Sequence, residues 1–444
     1  MKKRTNIKIL PFKYSILYFT INSLFSQKSY YLKTPVSHIT ILLSILFCLP
    51  LISLGQGYQV NLQGQSQQGM ASAGTAFIQD AASVFYNPGG MSFLDKSQVI
   101  GGVTPTISNG LFTEAETGEY GRTTSPVGTP FAAYGVYKLS DSSKLSFGLG
   151  VYTPFGSTVE WEEGWAGRFA VTRLQLMSIF VQPTVSYKLT DAIGVGAGFI
   201  YSFGKVNLQK DLPLQFQNGE YGSVELDGTG SGFGFNAGIY FEPVKWLSAG
   251  FTYRSQVNMN LNKGMSTFTV PSSLEENFPS GNFTSSLPLP SIVTLGFSFK
   301  PNEKLTIALD INHVGWVAYD TLAFDYEVNT ESLEDTKSPR NYENTFAFRL
   351  GAQYDFTEKI AARAGISYGI SPVSNGYVTP ETPDANRVSY TVGFGYAIKE
   401  RLKLDASLLY TQVTRTDKNI ETNLEGTFKV IAFAPGLSIS YLFK

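Results

Sequence analysis

Few residues of this chain are placed to do covalent chemistry. Its 444 residues include two histidines, His38 and His313, and a single cysteine, Cys48. A Ser–His mechanism needs an imidazole held between a nucleophile and an orienting carboxylate. His313 follows Asn312 at the end of an alternating segment with no nucleophile motif around it. An enzyme is therefore not expected, nor a cofactor or a metal centre. The charged residues that invite a role are of another kind. Lys205 and Lys210 suit the reception of a ligand carboxylate, with a solvated loop charge as the alternative for each. Asp310, Arg349, Arg363 and Asp405 stand on the polar faces of alternating segments, where opposite charges can brace one another.

The elements that carry these residues are strands. Residues 402–411 place Leu402, Leu404, Ala406, Leu408 and Tyr410 on one face and Lys403, Asp405, Ser407 and Thr411 on the other. Residues 305–312, 346–356 and 389–398 alternate in the same way. Fourteen such segments are expected, beginning near Gln98, Phe131, Leu145, Leu176, Ile193, Gly232, Leu247, Pro290, Leu305, Phe346, Ile360, Ser389, Leu402 and Thr427. Six short polar connections (140–144, 188–191, 243–245, 301–304, 357–359 and 399–401) separate seven long ones (106–127, 153–172, 207–230, 263–287, 315–341, 369–387 and 412–426). Short and long alternate, as an even-numbered antiparallel barrel requires when both chain ends lie on the periplasmic side.

Composition agrees with that reading. Charged residues make up only 16% of the chain, while Gly (43), Phe (33) and Tyr (25) are abundant. A net charge of −1 offers no footprint for nucleic acid. There are more apolar strand faces than one soluble core can hold, so lipid is expected to take them and the polar faces to look into a lumen. The most apolar stretch, 39–54, is short for a spanning helix, with Lys28 and Lys33 upstream and small residues Ser53 and Gly55 at its end. It reads as a secretory signal cut before Gln56, behind an unusually long pre-region. The expected organisation is a signal segment over 1–55, an N-terminal plug or hatch over 56–96 and a transmembrane all-β antiparallel barrel over 97–444.

Residues 56–96 lack a strand period. The runs Gly57-Tyr58-Gln59-Val60, Ala71-Ser72-Ala73-Gly74 and Asp80-Ala81-Ala82-Ser83-Val84-Phe85-Tyr86-Asn87-Pro88-Gly89-Gly90-Met91 closely resemble the hatch of the FadL family. Further blocks follow in family order: 151–161, 232–241, 252–255, Leu287-Pro288-Leu289-Pro290, Ser371-Pro372-Val373 and Pro383-Asp384-Ala385-Asn386-Arg387. One departure is Asn87-Pro88-Gly89, where the family has Asn-Pro-Ala.

The resemblance implies an outer-membrane transporter of Gram-negative cells for long-chain fatty acids or hydrocarbons. Surface loops would catch the ligand, and a kinked third strand would release it sideways. Asn87, Pro88 and Gly89 are then expected to gate the hatch. Thr153, Pro154, Phe155 and Gly156 are expected to form the kink, with Gly148 and Gly150 making room for the hatch. The expected partners are a hydrophobic small molecule, outer-membrane lipid and lipopolysaccharide, and the barrel-assembly machinery that reads the C-terminal strand. A monomer is expected. A general diffusion porin and an outer-membrane hydrolase are the alternatives.

Overall fold

The computed structural model describes residues 56–443, so the expected signal segment lies outside the described residues. Fourteen antiparallel strands form the wall. They are β1 (Gln98–Val103, resuming as Ile107–Glu114), β2 (Phe131–Lys138), β3 (Leu145–Tyr152, resuming as Gly156–Glu160), β4 (Arg173–Lys188), β5 (Ile193–Gln215), β6 (Tyr221–Val244) and β7 (Leu247–Arg254 and Val257–Thr269). The remainder are β8 (Gly281–Leu289 and Ile292–Phe299), β9 (Leu305–Val314), β10 (Thr345–Thr357), β11 (Ile360–Gly369), β12 (Arg387–Lys399), β13 (Leu402–Lys418) and β14 (Glu425–Leu442). Each pairs with its neighbours in sequence, and the ring closes where Gln98 of β1 meets both Val136 of β2 and Leu442 of β14. Closure leaves no free edge, which a sheet in lipid must achieve because hydrocarbon offers the backbone no partner.

The outward face is a continuous apolar surface. Phe199, Phe233, Phe297, Phe348, Phe394, Leu437 and Ile439 are all exposed, while Ser202, Asp405, Ser438 and Ser440 on the opposite face are buried. Among the described residues no helix is long and apolar enough to cross a membrane. Of the expected strand starts only Pro290 falls outside a strand, in the short break within β8.

The long connections differ from expectation. Much of 207–230 and 263–287 is strand, because β5 to β8 run well beyond the lipid-facing band. In the extensions of β5 and β6 the hydrophobic alternation changes phase, and in β7 and β8 the strand breaks turn the same alternation from outside to inside. Along β5, Phe199, Tyr201 and Phe203 face outward, and Lys205 and Gln209 continue that face; inward, Ser202 gives way to Val206 and Leu208. Along β6 the outward residues pass from Phe235 and Phe233 to Asp227 and Glu225, while Leu226 and Val224 turn inward. Where lipid stops and water begins, the apolar side chains move to the inside. Loop 315–341 adds a small hairpin, β15 (Thr321–Tyr326) and β16 (Thr336–Pro339), that pairs with β8 at Phe283↔Tyr326.

Residues 57–93 run inside the ring as two single helical turns, α1 (Gln65–Gln68) and α2 (Ser83–Tyr86), and a 3-10 turn over Pro88–Phe93. This segment is buried, mixing apolar side chains such as Met70, Phe77 and Met91 with polar ones that bond to the wall. Gln65 donates to Thr104 Oγ1 (2.8 Å) and Gln68 to the Ala434 carbonyl (3.1 Å). A buried amide without such a partner costs about 1–3 kcal/mol, so these glutamines fix the segment to this wall.

Candidate functional site

The third strand is interrupted where the sequence places Pro154. Its register against β4 runs regularly to Tyr152↔Phe180, then slips by one residue to resume at Gly156↔Met177. Proline has no N–H to give a ladder. The backbone of the break turns to the interior segment instead: Val60 N–H donates to the Pro154 carbonyl (2.8 Å), Gly156 N–H to the Tyr58 carbonyl (3.0 Å), and Gln63 Nε2 to the Thr153 carbonyl (2.9 Å). On the β2 side, Thr153 N–H reaches the Phe131 carbonyl and Thr124 N–H reaches the Glu160 carbonyl. Between those points no backbone hydrogen bond joins 124–131 to the third strand among the described residues, while Gly128 and Pro130 bond to Thr106 and Thr104 on the other side. The result is a seam beside the third strand.

Gly148 and Gly150 both face inward. A Cβ at Gly148 would stand 2.6 Å from Met91 Cε and 2.8 Å from Val84 Cγ2 of the interior segment, so a side chain there would make Met91 and Val84 shift. Gly150 instead makes room for the rings of Tyr134 and Tyr152 of the wall.

Next to the seam lies an apolar chamber built by the phase change in the strands. Leu174 and Leu176 of β4, Val206 and Leu208 of β5, Leu261 of β7 and Leu287 of β8 line it, with Leu322 and Phe324 of β15 on another side. Tyr58 lines it from the interior segment, packing edge-on against Trp316, Tyr319 and Phe155 and donating to the Pro288 carbonyl (2.7 Å). One aromatic side chain thus touches both the chamber and the broken strand. Two charged side chains also line the chamber, Arg340 and Glu381, joined at 3.1 Å and both nearly buried. Burial opposes the guanidinium charge most strongly, but Glu381 together with Tyr319 and Tyr342 outweighs it and leaves the Arg340 pKa above its ordinary value.

The expected carboxylate receptors are elsewhere. Lys205 shares the outward face of β5 and is paired with Asp227 at 2.7 Å. Lys210 lines a separate, acid-rich depression with Glu160, Glu162 and Glu225. Neither lines the apolar chamber.

Asn87, Pro88 and Gly89 sit where the interior segment meets the wall. Asn87 caps the 3-10 turn by accepting from Gly89 N–H (3.0 Å) and donates to the carbonyls of Thr75 (2.8 Å) and Ile239 (3.1 Å). A Cβ at Gly89 would meet the carbonyls of Gly194 and Gly238 at 2.7 and 2.8 Å. Glycine on both sides lets backbone lie against backbone.

The four expected lumen charges form two clusters. Asp310 accepts from Gly74 N–H, Thr75 N–H and the Thr75 hydroxyl (3.0, 3.0 and 2.7 Å), while Arg349 beside it donates to Asn312 (2.8 Å). Arg363 binds Asp405 (2.7 Å) and Gln353 (2.6 Å), with Lys403 also 3.3 Å from Asp405. Arg363 and Asp405 are fully buried. Arg363→Ala is expected to cost about 3 kcal/mol, since it strands a buried carboxylate with Lys403 as its remaining partner. The measurement is the temperature at which the folded gel band is lost, and an unchanged temperature would refute the expectation.

Other residues in this region were not singled out in the sequence. Arg254 donates to Tyr152 Oη (2.6 Å) and to the Phe85 carbonyl (3.1 Å), and stacks over the Phe85 ring, so it bridges the third strand and the interior segment. Asp384 receives the amides of Gln56 (3.2 Å) and Gly57 (2.9 Å). Burial pushes its carboxyl pKa up, opposed by Arg387 and by those amides. Both residues lie in sequence blocks that resemble the family, but a block match does not show which member makes the contact.

A closed ring with an apolar outer surface, filled by its own N-terminal segment and holding an apolar chamber at its long-loop end, is the architecture of an outer-membrane transport barrel. The chain belongs to the outer membrane protein transport protein family (OMPP1/FadL/TodX), whose model matches residues 47–443. It is 29% identical to putative outer membrane protein NMB0088 of Neisseria meningitidis, over 87% of this chain and 95% of that protein. It is 22% identical to the long-chain fatty acid transport protein of Escherichia coli K12, over 80% and 87%. Among solved structures, a Pseudomonas aeruginosa FadL homologue superposes with a TM-score of 0.77 at 19% identity, covering 88% of this chain and all of that one. The Pseudomonas putida toluene transporter TodX gives 0.69 at 16% identity, covering 88% and 99%. At those identities the structural likeness speaks for the fold. Members of the family are transport proteins of the outer membrane rather than enzymes.

Proposed function

We propose that this barrel takes up small hydrophobic molecules at its long-loop end, holds them in the apolar chamber and releases them sideways through the seam beside the third strand. The observation that carries this reading is Tyr58, which lines the chamber and packs on Phe155 in the broken strand. A ligand that displaces Tyr58 disturbs the backbone bonds holding the break inward. Sideways release suits the cargo, because each buried CH₂ favours lipid over water by about 0.8 kcal/mol. Residues 56–96 serve as the hatch, with Asn87, Pro88 and Gly89 as its hinge against the wall. The hatch argues against a general diffusion pore, since its glutamines occupy the polar lumen.

In this reading the protein acts as a monomer surrounded by lipid and lipopolysaccharide. Its exposed Leu437, Ile439, Tyr441 and Phe443 form the face that the assembly machinery reads.

The test is binding of a fluorescent hydrocarbon, pyrene, to the purified protein in detergent. A Leu208→Ser, Leu287→Ser variant is expected to bind at least about tenfold more weakly, since each leucine contributes about 1.5–3 kcal/mol of apolar burial. Equal affinity in variant and wild type would remove the chamber from the pathway.

A further inference from the structure

We infer that the chamber selects uncharged hydrophobic molecules and discriminates against carboxylates, with Glu381 as the residue that sets this preference. The inference rests on the chamber being the ligand site. Arg340 is the cation on the chamber wall, and Glu381, forty-one positions away in sequence, already occupies it at 3.1 Å. Their side chains are 8% and 11% exposed, so water screens the pair little. A ligand carboxylate entering here would have to displace a carboxylate held by the fold, then lie beside it in an apolar enclosure. Both steps disfavour an anion. An ester, alcohol or hydrocarbon meets no such penalty, since the rest of the lining is mostly leucine, valine and aromatic carbon with a few hydroxyls. The nearby lysine of the same strand group offers no alternative anchor, because Lys205 lies on the outer face and is taken by Asp227.

The experiment uses the full-length purified protein and two probes of equal chain length, laurate and methyl laurate, at about pH 8, where the acid is ionised. Wild type is expected to bind the ester at least about tenfold more tightly than the acid. Glu381→Gln frees Arg340 and is expected to raise laurate affinity about tenfold relative to the ester. The double variant Glu381→Gln, Arg340→Gln should lose that gain. Wild-type selectivity decides even if a variant does not fold. Laurate bound as tightly as its ester by wild type would overturn the selectivity and leave the transport reading standing. A Glu381→Gln protein that folds without gaining laurate affinity would overturn the role of Glu381. Failure of wild type to bind either probe would instead remove the chamber reading on which the inference rests.

Discussion

Replacing Pro154, Phe155 and Gly156 with Val, Thr and Val is expected to abolish hydrophobe uptake while the barrel still assembles. The substitution returns an N–H at position 154 and supplies three residues that favour a regular strand. It also removes the Phe155 ring on which Tyr58 packs. The one-residue register slip between Tyr152↔Phe180 and Gly156↔Met177 can then be absorbed as a bulge within the ladder. Closing the seam with two or three backbone bonds of about 1 kcal/mol each makes an open seam about a hundredfold rarer. Transfer of a labelled hydrocarbon into outer-membrane vesicles measures the effect, and heat-resistant gel mobility confirms assembly. Undiminished transfer by an assembled variant would eliminate the sideways route.

Deleting residues 58–90 has the opposite sign for a different solute. The segment fills the ring and satisfies groups that would otherwise face an empty lumen, among them Asp310, Thr104, Thr391 and Ser407. Without it these groups take water, and a fourteen-stranded ring approaches the width at which barrels carry an aqueous channel. Permeability to small polar solutes is expected to rise on the order of tenfold or more. Conductance in planar bilayers reads this directly. Unchanged conductance in a folded deletion variant would show that the segment is no plug.

The sequence carries the wall clearly and the site only in part. Strand starts such as Gln98, Ile193, Leu305 and Leu402 are legible because lipid on one side and a polar lumen on the other enforce a strict period of two. The extensions of β5 and β6 are not, because their alternation reverses phase near Lys205 and a reversed phase reads as a broken pattern. In β7 and β8 the breaks after Arg254 and Leu289 turn the same odd positions from the outside to the inside, as from Phe251 to Met259 and Leu261. These changes of facing hide the chamber: Leu176, Leu208 and Leu261 look like ordinary strand residues until their facing is known. Lys205 and Lys210 drew attention as isolated charges, yet a charge in a string does not say which side of the wall it occupies. Pro154 is legible because a proline inside a strand has few places to be. Arg340 and Glu381 are not, since they come from separate loops and neither loop has a period.

The bonds that hold the interior segment also constrain the order in which this protein can be built. Gly57 N–H bonds Asp384, Ala71 N–H bonds Thr391, Ser407 bonds Gln65, and Gln68 bonds the Ala434 carbonyl. The interior segment therefore has several of its partners among the last strands, more than three hundred residues later. Until those strands exist, the segment can make only its bonds to earlier strands, such as Gln65 to Thr104 and Val60 to Pro154, against the full conformational entropy of ordering itself. Its glutamines, serines and glycines suit that interval, because they stay hydrated where an apolar segment would collapse or aggregate. The interior segment thus waits in water for its last partners, and it takes its place as Gln98 and Leu442 close the ring.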